Sequence, residues 1–116
     1  TLIARGCKLI SQHADSMGAP TACEKAGVPN VSYNGSTKAD CPNTFIVSSR
    51  INWAPYYTYV INAVKEAKKN KTTPEIEKDW TGTIATGSVV LTEVNATDAA
   101  AGTQEAINKA KADIEN

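Results

Sequence analysis

The 116 residues carry 12 Lys plus Arg against 12 Asp plus Glu, a formal net charge of zero. That length suits one small domain, and 41% hydrophobic with 21% charged residues describes a folded chain rather than a disordered tail. The lack of a basic excess argues against a nucleic-acid partner, and no apolar run approaches the roughly 18 residues of a membrane span.

Thr1 to Gly6 reads as the last turn of a helix, with Arg5 at its C-terminus and Gly6 as the cap. No start signal for that helix is present, so the chain is expected to continue a longer protein. Residues 7–11 form a short strand-like run that ends in the polar stretch 12–16. A helix is expected over 18–26, with Pro20 in its first turn and Gly27 at its end. Residues 28–33 read as a second strand stopped by Asn34-Gly35. Strand, helix and strand on short links imply a right-handed parallel crossover.

After a polar loop, residues 44–48 form a third strand. The longest helix is expected over 53–69, with Tyr57, Val60, Ile61, Val64 and Ala67 as one apolar stripe. Lys65, Lys68, Lys69 and Lys71 gather at its end, where cations suit the helix dipole. That reading of the lysines is preferred over a phosphate or lipid patch. Residues 80–84 and 88–94 read as two strands joined near Thr86-Gly87. A last helix should start near Thr97 or Asp98, both good caps, and carry Ile107, Ala110 and Ile114 on one side. The order β-α-β-β-α-β-β-α describes an α/β layered fold.

Three cysteines, at 7, 23 and 41, allow at most one internal disulfide. Their wide spacing matches no zinc pattern. They are either small buried hydrophobes, or Cys23 and Cys41 form a bridge. Four Asn-x-Ser/Thr triplets, at Asn30, Asn34, Asn70 and Asn95, would matter only in a glycosylating pathway.

The segment Ser11-Gln12-His13-Ala14-Asp15-Ser16 is the most informative for chemistry. Polar side chains collect where a parallel strand ends, and open α/β sheets bind ligands at the carboxyl ends of their strands. His13, Asp15 and Ser16 invite a hydrolase triad, but a triad needs a nucleophile held against an oriented base. Neighbours on one loop rarely converge so, and there is no G-x-S-x-G elbow. A single His without paired ligands is a weak metal site. No catalytic residue, metal or cofactor is therefore assigned. Hydrogen bonding to a ligand stands level with Asp15 or Ser16 simply capping the helix. Asn34, at the end of the next strand, should face the same crevice and offers both donor and acceptor. It is equally at home in a turn. Ser48-Ser49-Arg50-Ile51-Asn52-Trp53 leads into the long helix, where Trp53 is either a stacking face for a planar ligand or a partly buried anchor. Trp80 has the same two readings, with the anchor favoured.

These pieces in order resemble the basic membrane protein family, the Med-like substrate-binding proteins of bacterial ABC transporters. The resemblance runs through residues 9–16, Gly27-Val28, Ser32-Tyr33-Asn34-Gly35, Asn52-Trp53-Ala54-Pro55-Tyr56-Tyr57 and Trp80-Thr81-Gly82. It implies a type I periplasmic-binding fold, three-layered with a mostly parallel sheet. The chain would be a single α/β lobe, the C-terminal part of a two-lobe protein. The 53–70 helix would belong with the missing first lobe, and a lone fragment would dimerise or swap that helix.

The implied protein is a non-enzymatic, extracytoplasmic lipoprotein whose anchor and signal peptide lie outside these residues. It would bind a purine base or nucleoside-like molecule and deliver it to an ABC permease. The ligand-facing positions by resemblance are His13, Asp15, Asn34 and Trp53, then Gln12, Ser16 and Ser49. Gly35-Ser36 and Ala85-Thr86-Gly87 stand where relatives carry an acidic residue and Lys-Asp-Gly. This departure favours a free base over a nucleoside. A ligand-sensing domain of a regulator or receptor with the same fold is the alternative.

Overall fold

The computed structural model describes residues 1–115. It is an α/β structure built from β1 (Ile10–Ser11), α1 (Gly18–Ala26), β2 (Asn30–Tyr33), β3 (Phe45–Ile51), α2 (Ala54–Asn70), β4 (Val89–Leu91) and α3 (Thr103–Glu115). The strands form one open sheet in the order β1-β2-β3-β4. The chain divides into two compact units, Thr1–Arg50 with Leu91–Ile114, and Ile51–Val90 with Glu115.

In the first unit the expected opening turn is present. Ile3–Arg5 forms one 3-10 turn, and Gly6 closes it in the left-handed region at φ 88°, its N–H bonded to the Ile3 carbonyl. A side chain there would carry a steric cost that glycine avoids. The first strand shrinks to Ile10–Ser11, and Leu9 before it is exposed. Helix α1 has the expected bounds, with Pro20 and Cys23 buried, and it packs on β2. Gly27, at φ 63°, ends it by donating back to the carbonyls of Cys23 and Glu24. Strands β1 and β2 pair in parallel, Ile10 opposite Asn30 and Ser11 opposite Val31. Strands β2 and β3 also run parallel, with Tyr33 opposite Ser49 and an irregularity at Asn30/Val31.

Phe45 and Val47 point into the core beside Ile10, Cys23 and Cys41. The same core holds a polar chain. Asn30 Nδ2 donates to Thr44 Oγ1 (3.1 Å), Thr44 Oγ1 donates to Glu24 Oε2 (2.7 Å), and Ser32 Oγ donates to Asn30 Oδ1 (3.2 Å). Most buried polar groups in folded proteins are bonded in this way, since an unpaired one is costly. Cys7, Cys23 and Cys41 are all free thiols, so the Cys23–Cys41 bridge is absent and the small-hydrophobe reading holds for the buried pair. Burial raises the thiol pKa of Cys23. It raises that of Cys41 too, with added repulsion from Glu24 and Asp40.

The end of the chain departs from expectation. Asn95, almost fully buried, donates its side-chain amide to the Pro42 carbonyl (2.8 Å) and its backbone N–H to Ile46 (2.8 Å). Thr92 N–H likewise reaches the Ser48 carbonyl (2.8 Å), so this segment runs antiparallel to β3. Asn95 also accepts from the amides of Thr97, Asp98 and Ala99, which closes one turn. That turn does not continue into a helix, because Gly102 sits at φ 83°. The last helix therefore starts at Thr103 and not at Thr97 or Asp98. Its Ile107 is half-buried, but Ala110 and Ile114 are exposed, so the expected apolar side is not a core face.

In the second unit α2 starts one residue later than expected and ends at Asn70, with Pro55 in its first turn. Lys71 closes it in the left-handed region at φ 56°, donating to the carbonyls of Ala67 and Lys68. The expected apolar stripe is mostly turned outward. Tyr57, Ile61 and Val64 are 58%, 52% and 44% exposed, and only Ala67 of that stripe is buried. The helix covers Tyr56, Tyr59, Val60, Ala63 and Ala67, a face that keeps Val60 and Ala67 of the expected stripe and turns the rest outward. Residues 80–84 form no strand. Thr83 N–H donates to Thr86 Oγ1 (2.7 Å), and Gly87 and Ser88 amides return to the carbonyls of Ile84 and Thr83 (2.9 and 3.0 Å). Threonine hydroxyls here offer the backbone an alternative to a sheet ladder. The strand expected over 88–94 is confined to Val89–Leu91.

Candidate functional site

The carboxyl ends of β1 and β2 lie side by side because the strands are parallel and in register. Gln12 extends the pairing, its N–H donating to the Val31 carbonyl (3.1 Å). The next residue, His13, rests on Tyr33 with ring centroids 4.1 Å apart and planes at 32°. Asn34 follows at φ 67°, a left-handed conformation that asparagine tolerates better than most residues. Its N–H donates to the Ser49 carbonyl (2.6 Å), so the end of β3 joins the same edge. His13, Tyr33, Asn34 and Ser49 are thus gathered by strand register alone.

Residues 14–17 form a bent connection into α1. The Gln12 side chain spans it by donating Nε2 to the Ser16 carbonyl (3.1 Å). Neither Asp15 nor Ser16 caps α1. The helix begins at Gly18, its cap position is Met17, and no side chain bonds the cap. The capping role that competed with ligand binding for these two residues is therefore contradicted. The reason is one of spacing: the helix begins at Gly18, so the cap position falls on Met17, one residue past Ser16 and two past Asp15. Asp15, Ser16, His13 and Asn34 are all exposed, while Gln12 and Ser49 are half-buried. The edge offers an exposed carboxylate, a carboxamide with donor and acceptor, and an imidazole backed by a phenol ring.

Trp53 belongs to the second unit and stands at the cap position of α2. Asn52 prepares its place, Oδ1 accepting from Ala54 N–H (3.2 Å) and Nδ2 donating to the Gly87 carbonyl (2.9 Å). Trp53 is 54% exposed and lies over Tyr57 at 6.2 Å and 25°. Tyr56 lies 6.4 Å from Trp53 and 5.3 Å from Trp80, centroid to centroid. Tyr56 and Tyr59 are not among the candidates the sequence offers, and Trp80, expected to open a strand, lies in none. The spacing of Trp53, Tyr56 and Tyr57 on one helical turn was the available signal.

Among the described residues no three His, Cys, Asp or Glu side chains are grouped to hold a metal ion. No described helix is long and apolar enough to cross a membrane. No protein-family model matches the chain, and no curated protein matches it.

Proposed function

We propose that the chain is part of an extracytoplasmic solute-binding protein that serves an ABC importer and takes a purine base or a related planar heterocycle. In this reading the finer fold is the three-layer type I periplasmic-binding lobe, with a second lobe supplying the other wall of the site. Asp15 accepts from ring or exocyclic N–H groups of the ligand. Asn34 pairs with an adjacent donor and acceptor on its edge. The exposed face of the His13 imidazole, backed by Tyr33, offers a surface for stacking. Gln12 holds the loop that carries Asp15, and Ser16 and Ser49 lie at the margins.

The observation that carries this reading is the adjacency of His13, Tyr33 and Asn34 at the carboxyl ends of parallel strands. In open α/β sheets that end is where small ligands bind. The release of Asp15 and Ser16 from helix capping supports it, since exposed polar side chains there have no structural task assigned.

Calorimetry of the full-length protein with adenine, hypoxanthine, guanosine and adenosine tests the reading. Saturable heat with a free base, weaker with the nucleosides, is expected. No heat with any of the four overturns the ligand class.

A further inference from the structure

The second unit concentrates the aromatic residues of the chain. Both tryptophans and Tyr56, Tyr57 and Tyr59 lie between residues 51 and 90. Tyr56 stands between the tryptophans, inclined 57° to Trp80 at 5.3 Å and 72° to Trp53 at 6.4 Å. Rings so steeply inclined do not stack into a slab. All three border a common space. With Glu77, Lys78 and Asp79 they line a cleft of about 300 Å³.

We propose that this cleft binds an organic cation of the quaternary ammonium type. The inference does not rest on the purine reading. Aromatic faces carry negative charge density and attract a cation within about 6 Å of the ring centre. Two carboxylates and one ammonium among the lining residues leave the cleft net negative, which disfavours an anion. A quaternary ammonium group cannot donate hydrogen bonds and is weakly hydrated, so an aromatic enclosure suits it better than it suits a primary amine.

The walls are also held in place without a ligand. The Glu77 N–H donates to Tyr59 Oη (2.8 Å), which ties the strap carrying Glu77 and Trp80 to α2. Tyr59 stacks on Trp80 at 6.2 Å and 24°. Asn52 fixes the start of α2 from the other side. A cleft whose walls are already ordered loses less entropy on binding. Tyr59 is accordingly a positioning residue.

Both tryptophans form the cleft, so intrinsic fluorescence reports on it directly. The full chain is titrated with choline chloride at constant ionic strength, and in parallel with 3,3-dimethyl-1-butanol, its uncharged isostere. Choline should give a saturable change and the isostere none. Tyr56→Ala should weaken the choline response about tenfold, with an unchanged far-UV circular dichroism spectrum. Should Tyr56→Ala unfold, the Glu77→Gln/Asp79→Asn double variant should fold and bind choline several-fold more weakly. No saturable response to choline, an equal response to the isostere, or full choline binding by the double variant overturns the proposal.

Discussion

Replacing Thr44 by valine keeps the side-chain shape and removes only the hydroxyl. Thr44 is 2% exposed, and its hydroxyl accepts from Asn30 while donating to Glu24. The variant leaves the buried Asn30 amide without this acceptor, which costs about 1–3 kcal/mol at neutral pH. With a urea slope of about 1–3 kcal/mol per molar, the midpoint should fall by roughly 1 M.

A second signature follows from Glu24. Its carboxyl pKa lies below the ordinary value of 4.5, chiefly because the Thr44 hydroxyl bonds the carboxylate, with further bonds from Asn43. A lowered folded-state pKa adds stability above pH 4.5 that is lost as pH falls through the folded value. Thr44→Val removes the largest cause, so its stability should fall less steeply on acidification. Urea melts by far-UV circular dichroism at pH 7 and pH 3 check both effects. An unmoved midpoint at pH 7, or the same acid-side loss in both proteins, would refute the role given to this polar chain.

Gly82 has no room for a side chain, because a Cβ there would overlap Ser88 and crowd the Trp80 ring. Gly82→Ala should cost about 1–3 kcal/mol and alter tryptophan fluorescence. A variant with native fluorescence and stability would contradict the packing described. Cys23 and Cys41 are buried with raised thiol pKa values, and the thiolate is the reactive form. A thiol reagent should modify Cys7 first in the native chain, and Cys23 and Cys41 only on unfolding. Fast modification of all three would show the core to be open.

The parts of the fold written in local chemistry were legible in the sequence. Gly6 and Gly27 mark helix ends because their positive φ suits glycine, and Pro20 marks a helix start. The β1-α1-β2 unit follows from those signals together with short links. Other elements were decided by contacts that periodicity does not contain. The Thr83–Thr86 hydrogen bonds and the close approach of Gly82 to Ser88 turn an apparent strand into a turn. Asn95 follows directly on the expected strand over 88–94, and its side chain reaches back 53 residues to Pro42. In α2 the apolar positions cover more than one face, so periodicity could not say which face would be buried.

The candidate site shows the same division. Asn34 and the residues 12–16 stood out as polar groups at strand ends. The parallel register adds the contact of the Tyr33 ring with His13, which the strand-end pattern does not contain. Trp53 was read as part of that group, and the structure gives it aromatic partners of its own, Tyr56 and Tyr57.

Backbone amide chemical shifts followed during an adenine titration of the full-length protein test the location of the binding site most directly. Shifts concentrated on Gln12, His13, Asp15, Tyr33 and Asn34 are the expected result. Saturable adenine binding that leaves these amides unmoved, with the changes elsewhere, would contradict it.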